Sequence, residues 1–386
     1  MAVAMAWRPH LSASENNGNH VAAFACRPNP APLPSSKVTK GFGRYAFDMM
    51  ARSIGKVVEV GDEDGLARRN KALAASLELL AVPESRQQCV SAGMVSALAA
   101  RLGDEQVKSR CRAARCCVSL AGDAAGCRAL LETGALAELV ALLKDVDDEV
   151  RDAAYDALLE AAWDASARQA LAEASAGTLT LLLEQAGSED GGRAERALEL
   201  LRRAARGGDD KAVKAILDAG GVAQCTAMLA KERGNAVREG AANVLSLACV
   251  PFAGKAAALK AGAVPALCAM LGEASAPTSM LAAAAGALMA ATVAHPAKAA
   301  AVQAGAVGSL VLLLRMHQAN ERLLLNALQC VTNLAEHTEG RDAMREPQCL
   351  SAVEAVRKNT PSSLLERAAA AAMRVIHQRH IGETGA

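Results

Sequence analysis

Gly41-Phe-Gly43-Arg-Tyr-Ala46 fits the G-x-G-x-x-A pattern with which a glycine-rich turn cradles a pyrophosphate. That cradle needs a strand before it and a helix N-terminus facing the phosphate. Neither a strand nor a βαβ unit is legible around Gly41, so no nucleotide site is expected. His377 and His380 lie three apart on the last helical run and can share a face, as a chelating pair would. No carboxylate or cysteine stands beside them to complete a metal site, and a solvated helix end is the plainer reading. Two acidic runs, Asp62-Glu63-Asp64 and Asp145 with Asp147, Asp148 and Glu149, lack the alternating ligands and distal glutamate of a calcium loop. They suit helix N-termini, where negative charge favours the macrodipole. No G-x-x-x-x-G-K-[ST], G-x-S-x-G or H-E-x-x-H string occurs, and the chain reads as non-enzymatic and free of cofactors.

A third pattern points to partners instead of reactions. Basic residues recur near the start of what read as successive long helices: Arg68 and Arg69, Lys108 and Arg110, Arg151, Arg238, and Arg322. Stacked along one groove, they would meet an acidic partner by electrostatic steering. The bland alternative is a set of ordinary solvated positions, neutralised by neighbours such as Asp152 and Glu239.

What must position these residues is a repeat. A small residue, a glycine and a small or apolar residue precede an apolar helix at Gly93, Gly134, Gly177, Gly220, Gly262 and Gly305, with spacings of 41, 43, 43, 42 and 43. A further step of 43 reaches Gln348, where the glycine is gone but the apolar helix survives. Each unit has a short helix, a sharp turn at the glycine, a second helix and a longer third one. In the sixth unit these last two are 307–315 and 323–335. A period of about 42 residues with three helices is expected of an armadillo solenoid, and the glycine between the first two helices favours armadillo over HEAT. Upstream, 66–80 matches a third helix and 42–58 a capping helix. The expected organisation is a disordered Pro- and Asn-rich tail over 1–40, then a right-handed superhelix over 41–386 of six regular repeats with a partial one at each end.

Composition agrees with this reading. Hydrophobic residues make up 52% but aromatics only 2%, so helices must meet through Ala, Leu, Val and Met at close range. Lys plus Arg (42) balances Asp plus Glu (41), which gives no global footprint for nucleic acid. No run of 18 apolar residues predicts a membrane span. Eleven cysteines, an odd count with no C-x-x-C pair, read as reduced small hydrophobes in an intracellular protein.

The strings Leu66-Ala-Arg-Arg-Asn-Lys-Ala-Leu-Ala-Ala-Ser-Leu77 and Val107-Lys-Ser-Arg-Cys-Arg112, leading into Val118-Ser-Leu-Ala121, resemble those of the armadillo-repeat subunits of the ciliary radial spoke. The resemblance implies a non-catalytic structural subunit in the axoneme of motile cilia, bound to other spoke proteins and contributing to control of beating. Ala261-Gly-Ala-Val-Pro-Ala-Leu267 is similar to plant U-box ligases, which implies the alternative of a soluble adaptor in signalling or ubiquitination. Nuclear import receptors read basic peptides with a ladder of asparagines near the ends of third helices. Asn333 fits that place, but the matching positions hold Ser119, Ala161, Arg203, Ser246 and Thr292, so a threaded basic peptide is not expected.

Overall fold

In a computed structural model the chain divides into two units, Met1–Ala46 and Phe47–Ala386. The structure describes residues 44–57, 62–173, 176–188, 191–206, 210–273, 275–317 and 319–378. The expected tail over 1–40, the glycines Gly41 and Gly43, and His380 lie outside the described residues.

Every element is a helix among the described residues. First come α1 (Arg44–Gly55) and α2 (Glu63–Leu80). Triplets of first, second and third helices follow: α3 (Pro83–Ser91), α4 (Met94–Leu102) and α5 (Val107–Ala121); α6 (Ala124–Glu132), α7 (Ala135–Ala141) and α8 (Asp148–Ala161); α9 (Ala165–Glu173), α10 (Ala176–Ser188) and α11 (Gly192–Arg206). Next are α12 (Asp210–Asp218), α13 (Gly221–Ala227) and α14 (Asn235–Ala248); α15 (Phe252–Lys260), α16 (Ala263–Leu271) and α17 (Thr278–Ala291); α18 (His295–Gln303), α19 (Ala306–Met316) and α20 (Glu321–Ala335). The last triplet is α21 (Thr338–Met344), α22 (Pro347–Asn359) and α23 (Ser363–His377).

Within the Phe47–Ala386 unit, each third helix packs on the third helix before and after it, in an unbroken row from α2 to α23. First and second helices cover one side of that row. The result is an armadillo-type superhelical solenoid, whose core is filled by Leu, Ala, Val and Cys.

The first two helices of a unit meet at a sharp corner, 78° between α15 and α16 and 79° between α18 and α19. Gly93, Gly134, Gly220, Gly262 and Gly305 make that corner with φ between 69° and 77°, left-handed backbone that a side chain would strain. Gly177 differs. It lies inside the first turn of α10, which starts at Ala176, and a glycine is tolerated there because first-turn N–H groups have no intrahelical partner. The C-terminal unit also departs from expectation, because it is a full triplet and not a partial one. Its corner has no glycine; extended Glu346 (φ −54°, ψ 136°) turns the chain and Pro347 starts α22 with a φ already helical. Both acidic runs serve as caps: Asp62 accepts from the Gly65 N–H (2.8 Å), and Asp147 from those of Glu149 (3.0 Å) and Val150 (3.1 Å).

A second constraint recurs in every triplet. The third residue of each first helix is small, Ser85, Gly126, Ala167, Ala212, Gly254, Ala297 or Gly340, and the three glycines lie against backbone at the C-terminal end of the preceding third helix. A Cβ on Gly254 would stand 1.7 Å from the Ala248 carbonyl oxygen, and one on Gly126 2.3 Å from that of Leu120. The two helices therefore touch through backbone, and the side chain has no room to grow. Gly254→Ala is expected to destabilise the fold by about 1–3 kcal/mol through overpacking. Gly308→Ala, in α19 with nothing within 4 Å of the new methyl, should stabilise it by about 0.5–1 kcal/mol. Urea melts of the two variants check this, and a neutral Gly254→Ala would show that the contact is not tight.

Candidate protein-binding surface

Three of the arginines expected to form a docking ladder are consumed inside the fold. Arg69 on α2, Arg110 on α5 and Arg238 on α14 each reach a carboxylate 35 residues further along, in the loop before the next third helix. Arg69 lies 3.3 Å from Asp104, and Arg110 grips Asp145 through two bonds of 2.6 and 2.9 Å. Arg238 donates to Glu273 at 3.0 Å. All six side chains are 4–19% exposed. The same guanidiniums fold back onto their own repeat, Arg110 to the Asp104 carbonyl (2.9 Å) and Arg238 to that of Leu229 (3.0 Å). Each is thus a clasp between consecutive repeats.

The clasps at Asp145 and Glu273 favour the charged form of their acids. Burial pushes the Asp145 carboxyl up, but hydrogen bonds from Arg110 and the Asp147 N–H, with the nearby charges of Arg110 and Arg151, hold it below its usual value. The Arg238 hydrogen bond outweighs burial at Glu273 and lowers it too.

The other expected residues separate. Arg151 donates to the Asp145 carbonyl (2.6 Å) and pairs with Asp148. Arg68 and Lys108 are exposed. Arg322 is exposed and donates to Asn243 Oδ1 at 3.1 Å, a residue 79 positions earlier on α14. Asn333 donates to the Met289 carbonyl (3.0 Å) and Thr292 Oγ1 (3.2 Å), so it binds α17 of its own chain. On that helix row Asn326 does the same with the Ala282 carbonyl, at 3.0 Å. No single basic ladder results.

The sequence reading missed a denser set of arginines on α11, Arg193, Arg196, Arg202, Arg203 and Arg206, whose crowding within one helix was the available signal. Its first half is neutralised by α8, with Arg193 2.9 Å from Asp148 and Arg196 2.8 Å from Asp152. In the second half Arg202 and Arg203 share Glu199, at 2.6 and 2.7 Å. Arg203 also lies over the ring of Trp163 at 4.3 Å. Burial by surrounding protein, and the charges of Arg202 and Arg322, push the Arg206 guanidinium below its usual pKa. Arg322 is lowered by burial and by Arg202.

Some of the exposed apolar surface lies at the turns from third helices to first helices. Trp163, Val250 and Val293 are exposed there, with Phe252 one residue into α15. A shallow cleft of about 670 Å³ lies against α23, lined by Arg357, Arg367, Met373, Arg374 and His377. The ten described cysteines are free and buried. Burial pushes the thiols of Cys89, Cys127 and Cys249 up to about 11 and those of Cys117, Cys225 and Cys268 to about 12. Among the described residues no three His, Cys, Asp or Glu side chains are gathered as metal ligands, and no single helix is long and apolar enough to cross a membrane.

Radial spoke protein 14 of Chlamydomonas reinhardtii is 33% identical to this chain over 375 residues, which cover 95% of the chain and 94% of that protein. The chain belongs to the radial spoke protein 14 family. Solved structures place this family member among armadillo solenoids. An engineered protein superposes with a TM-score of 0.56 at 28% identity, over 62% of this chain and 96% of its own. A designed armadillo repeat protein in complex with the peptide (KR)4 superposes with a TM-score of 0.54 at 20% identity, over 62% of this chain and 99% of its own, and shows the fold alone. No protein-family model matches the sequence. Family and fold together make this chain an armadillo-type solenoid of the radial spoke protein 14 family.

Removing one half of a clasp leaves a charge in a poorly solvated site. Arg238→Met should cost about 3 kcal/mol at neutral pH in a urea melt. The Glu273 carboxyl is depressed in the folded state, so its contribution is full above the unfolded value of about 4.3 and is lost as pH falls through the lower folded value. Wild type should therefore lose more stability than Arg238→Met between pH 5 and 3, and equal losses would rule out the clasp. The buried thiols should ignore a thiol reagent at pH 8 until denaturant is added; rapid reaction of two or more per native chain would contradict their burial, Cys26 being the one cysteine outside the described residues.

Proposed function

We propose that this chain is a structural subunit of the radial spoke in motile cilia and flagella, where it binds and positions other spoke or axonemal proteins and so supports control of beating. The observation that carries this is the relation to radial spoke protein 14 along nearly the full length of both chains. In this reading residues 41–386 form the scaffold and residues 1–40 a flexible tail, and the protein resides in the axoneme. The physical design suits such a role. A solenoid buries each repeat against its neighbours and keeps long helix faces and turn edges for partners. The exposed Trp163, Val250, Phe252 and Val293 offer apolar contacts of the kind that persist in a permanent assembly.

The test is to tag the protein in a ciliated cell, isolate axonemes and extract them with detergent and moderate salt, with spokeless mutants run in parallel. Retention in normal axonemes with loss in the mutants is the expected result. A soluble cytoplasmic pool absent from axonemes would overturn the spoke assignment and leave the adaptor role.

A further inference from the structure

The seventh triplet is the last in the row, and among the described residues no helix follows α23. The N-caps Asn320 and Ser362 begin α20 and α23 at matching points, so the two helices can be compared residue by residue. Leu323, Ala327, Cys330 and Leu334 of α20 correspond to Leu365, Ala369, Ala372 and Ile376 of α23, and all eight are buried. Cys330 donates to the Ala285 carbonyl of α17, so this is the face that each helix turns to its predecessor. A second set on α20, Leu324, Leu328, Val331 and Ala335, is buried as well, with α21 and α23 packed on that helix. Its counterparts on α23 are Glu366, Ala370, Met373 and His377. Ala370 and Met373 are only partly buried, and Glu366 and His377 are exposed.

The cleft of about 670 Å³ lies on this open face. Ala370 and Met373 give it apolar lining, and Arg357, Arg367, Arg374 and His377 give it basic lining. Arg357 is taken by Glu354 through two bonds of 2.7 and 2.8 Å, and Lys358 stands 3.4 Å from the same carboxylate. Among the described residues Arg367 donates only to the Ser363 carbonyl of its own helix, at 3.3 Å, and Arg374 and His377 have no hydrogen bond or ion pair. Glu366 is the second carboxylate of this stretch. Arg345, at the C-terminal end of α23, pairs with Asp342 at 3.5 Å. Arg357, Lys358, Arg367 and Arg374 thus outnumber Glu354 and Glu366. A cap that only kept the end soluble would need neither a cleft nor an excess of one sign.

We propose that this open face receives a helical segment of a partner protein, with acidic side chains flanking an apolar stripe, which continues the stack beyond α23. The apolar stripe would cover Ala370 and Met373, as the seventh triplet covers Leu328 and Val331. The carboxylates would meet Arg367 and Arg374, whose guanidinium forks match them two bonds at a time. A small anion would leave the apolar lining uncovered, and a second copy docked by the same face would set arginine against arginine. The inference rests on the protein-binding reading above, and it adds the place and chemistry of one partner.

The experiment is fluorescence anisotropy of the full chain with a labelled 15-residue peptide, the length of α23, with leucine at i, i+3, i+7 and i+10 and glutamate elsewhere. Binding should weaken with added salt. It should fall at least about tenfold in Arg367→Glu/Arg374→Glu and by a smaller factor in Arg367→Gln/Arg374→Gln, which keeps the proposal testable if charge reversal disturbs the fold. Met373→Gln should weaken it about threefold or more through lost apolar contact. Arg68→Glu/Lys108→Glu, with the same change in net charge on exposed positions, should bind as wild type. Absence of binding, equal loss in the Arg68/Lys108 variant, or equally tight binding of a polyglutamate peptide or an oligothymidine of the same length would each overturn it. So would a dimer of the free chain in sedimentation equilibrium that Arg367→Glu/Arg374→Glu disperses, which would give the face to a second copy. Peptide binding is read in solution, so it succeeds or fails independently of axonemal retention.

Discussion

Close contact between the end of one third helix and the start of the next first helix is the constraint on which the stack depends. At Gly126, Gly254 and Gly340 the distance leaves no room for even a methyl group, and at the equivalent sites only alanine or serine occurs. That contact fixes where each triplet starts relative to the one before it. The alanine-rich third helices can then lie directly on each other, α17 with an almost continuous buried surface of Ala282 to Leu288. With aromatics at 2% of the chain, stability comes from many small contacts at short range and not from large side chains filling gaps.

The two ends of the solenoid join their repeats by different means. Toward the N-terminus the clasps of Arg69 and Arg110 pair charge across the interface. In α17 and α20 the corresponding turn carries the buried Leu281 and Leu324, and polar linkage shifts to side chain on backbone. Asn326, Cys330 and Asn333, one face of α20, donate to the carbonyls of Ala282, Ala285 and Met289. Those carbonyls are reachable because α17 carries so little side chain there. An asparagine at the end of a third helix thus serves cohesion in this chain.

Much of the architecture was legible because a repeat samples the same physics many times. The glycine recurrence marked the corners, and the apolar runs after it marked second and third helices to within a few residues. Legibility failed where one residue's role depends on another far away. Arg110 and Arg238 looked like surface charges because their partners stand 35 residues on, in another repeat. The seventh triplet read as a partial repeat because Glu346-Pro347 makes its corner by a different chemistry from glycine. The α11 arginines were visible in their crowding, but which of them are neutralised depends on the aspartates that α8 presents beside them.

The bond from Arg322 to Asn243 differs in kind from the clasps, since it skips the fifth repeat altogether. A contact between adjacent repeats reports one interface, but this one sums the geometry of two. Any stretch or bend of the superhelix accumulates over both before it reaches that bond. Its length therefore depends on local pitch, and a change of pitch across those repeats would move the α20 guanidinium relative to α14. In a scaffold under mechanical load, shape and surface electrostatics would be coupled at this one point.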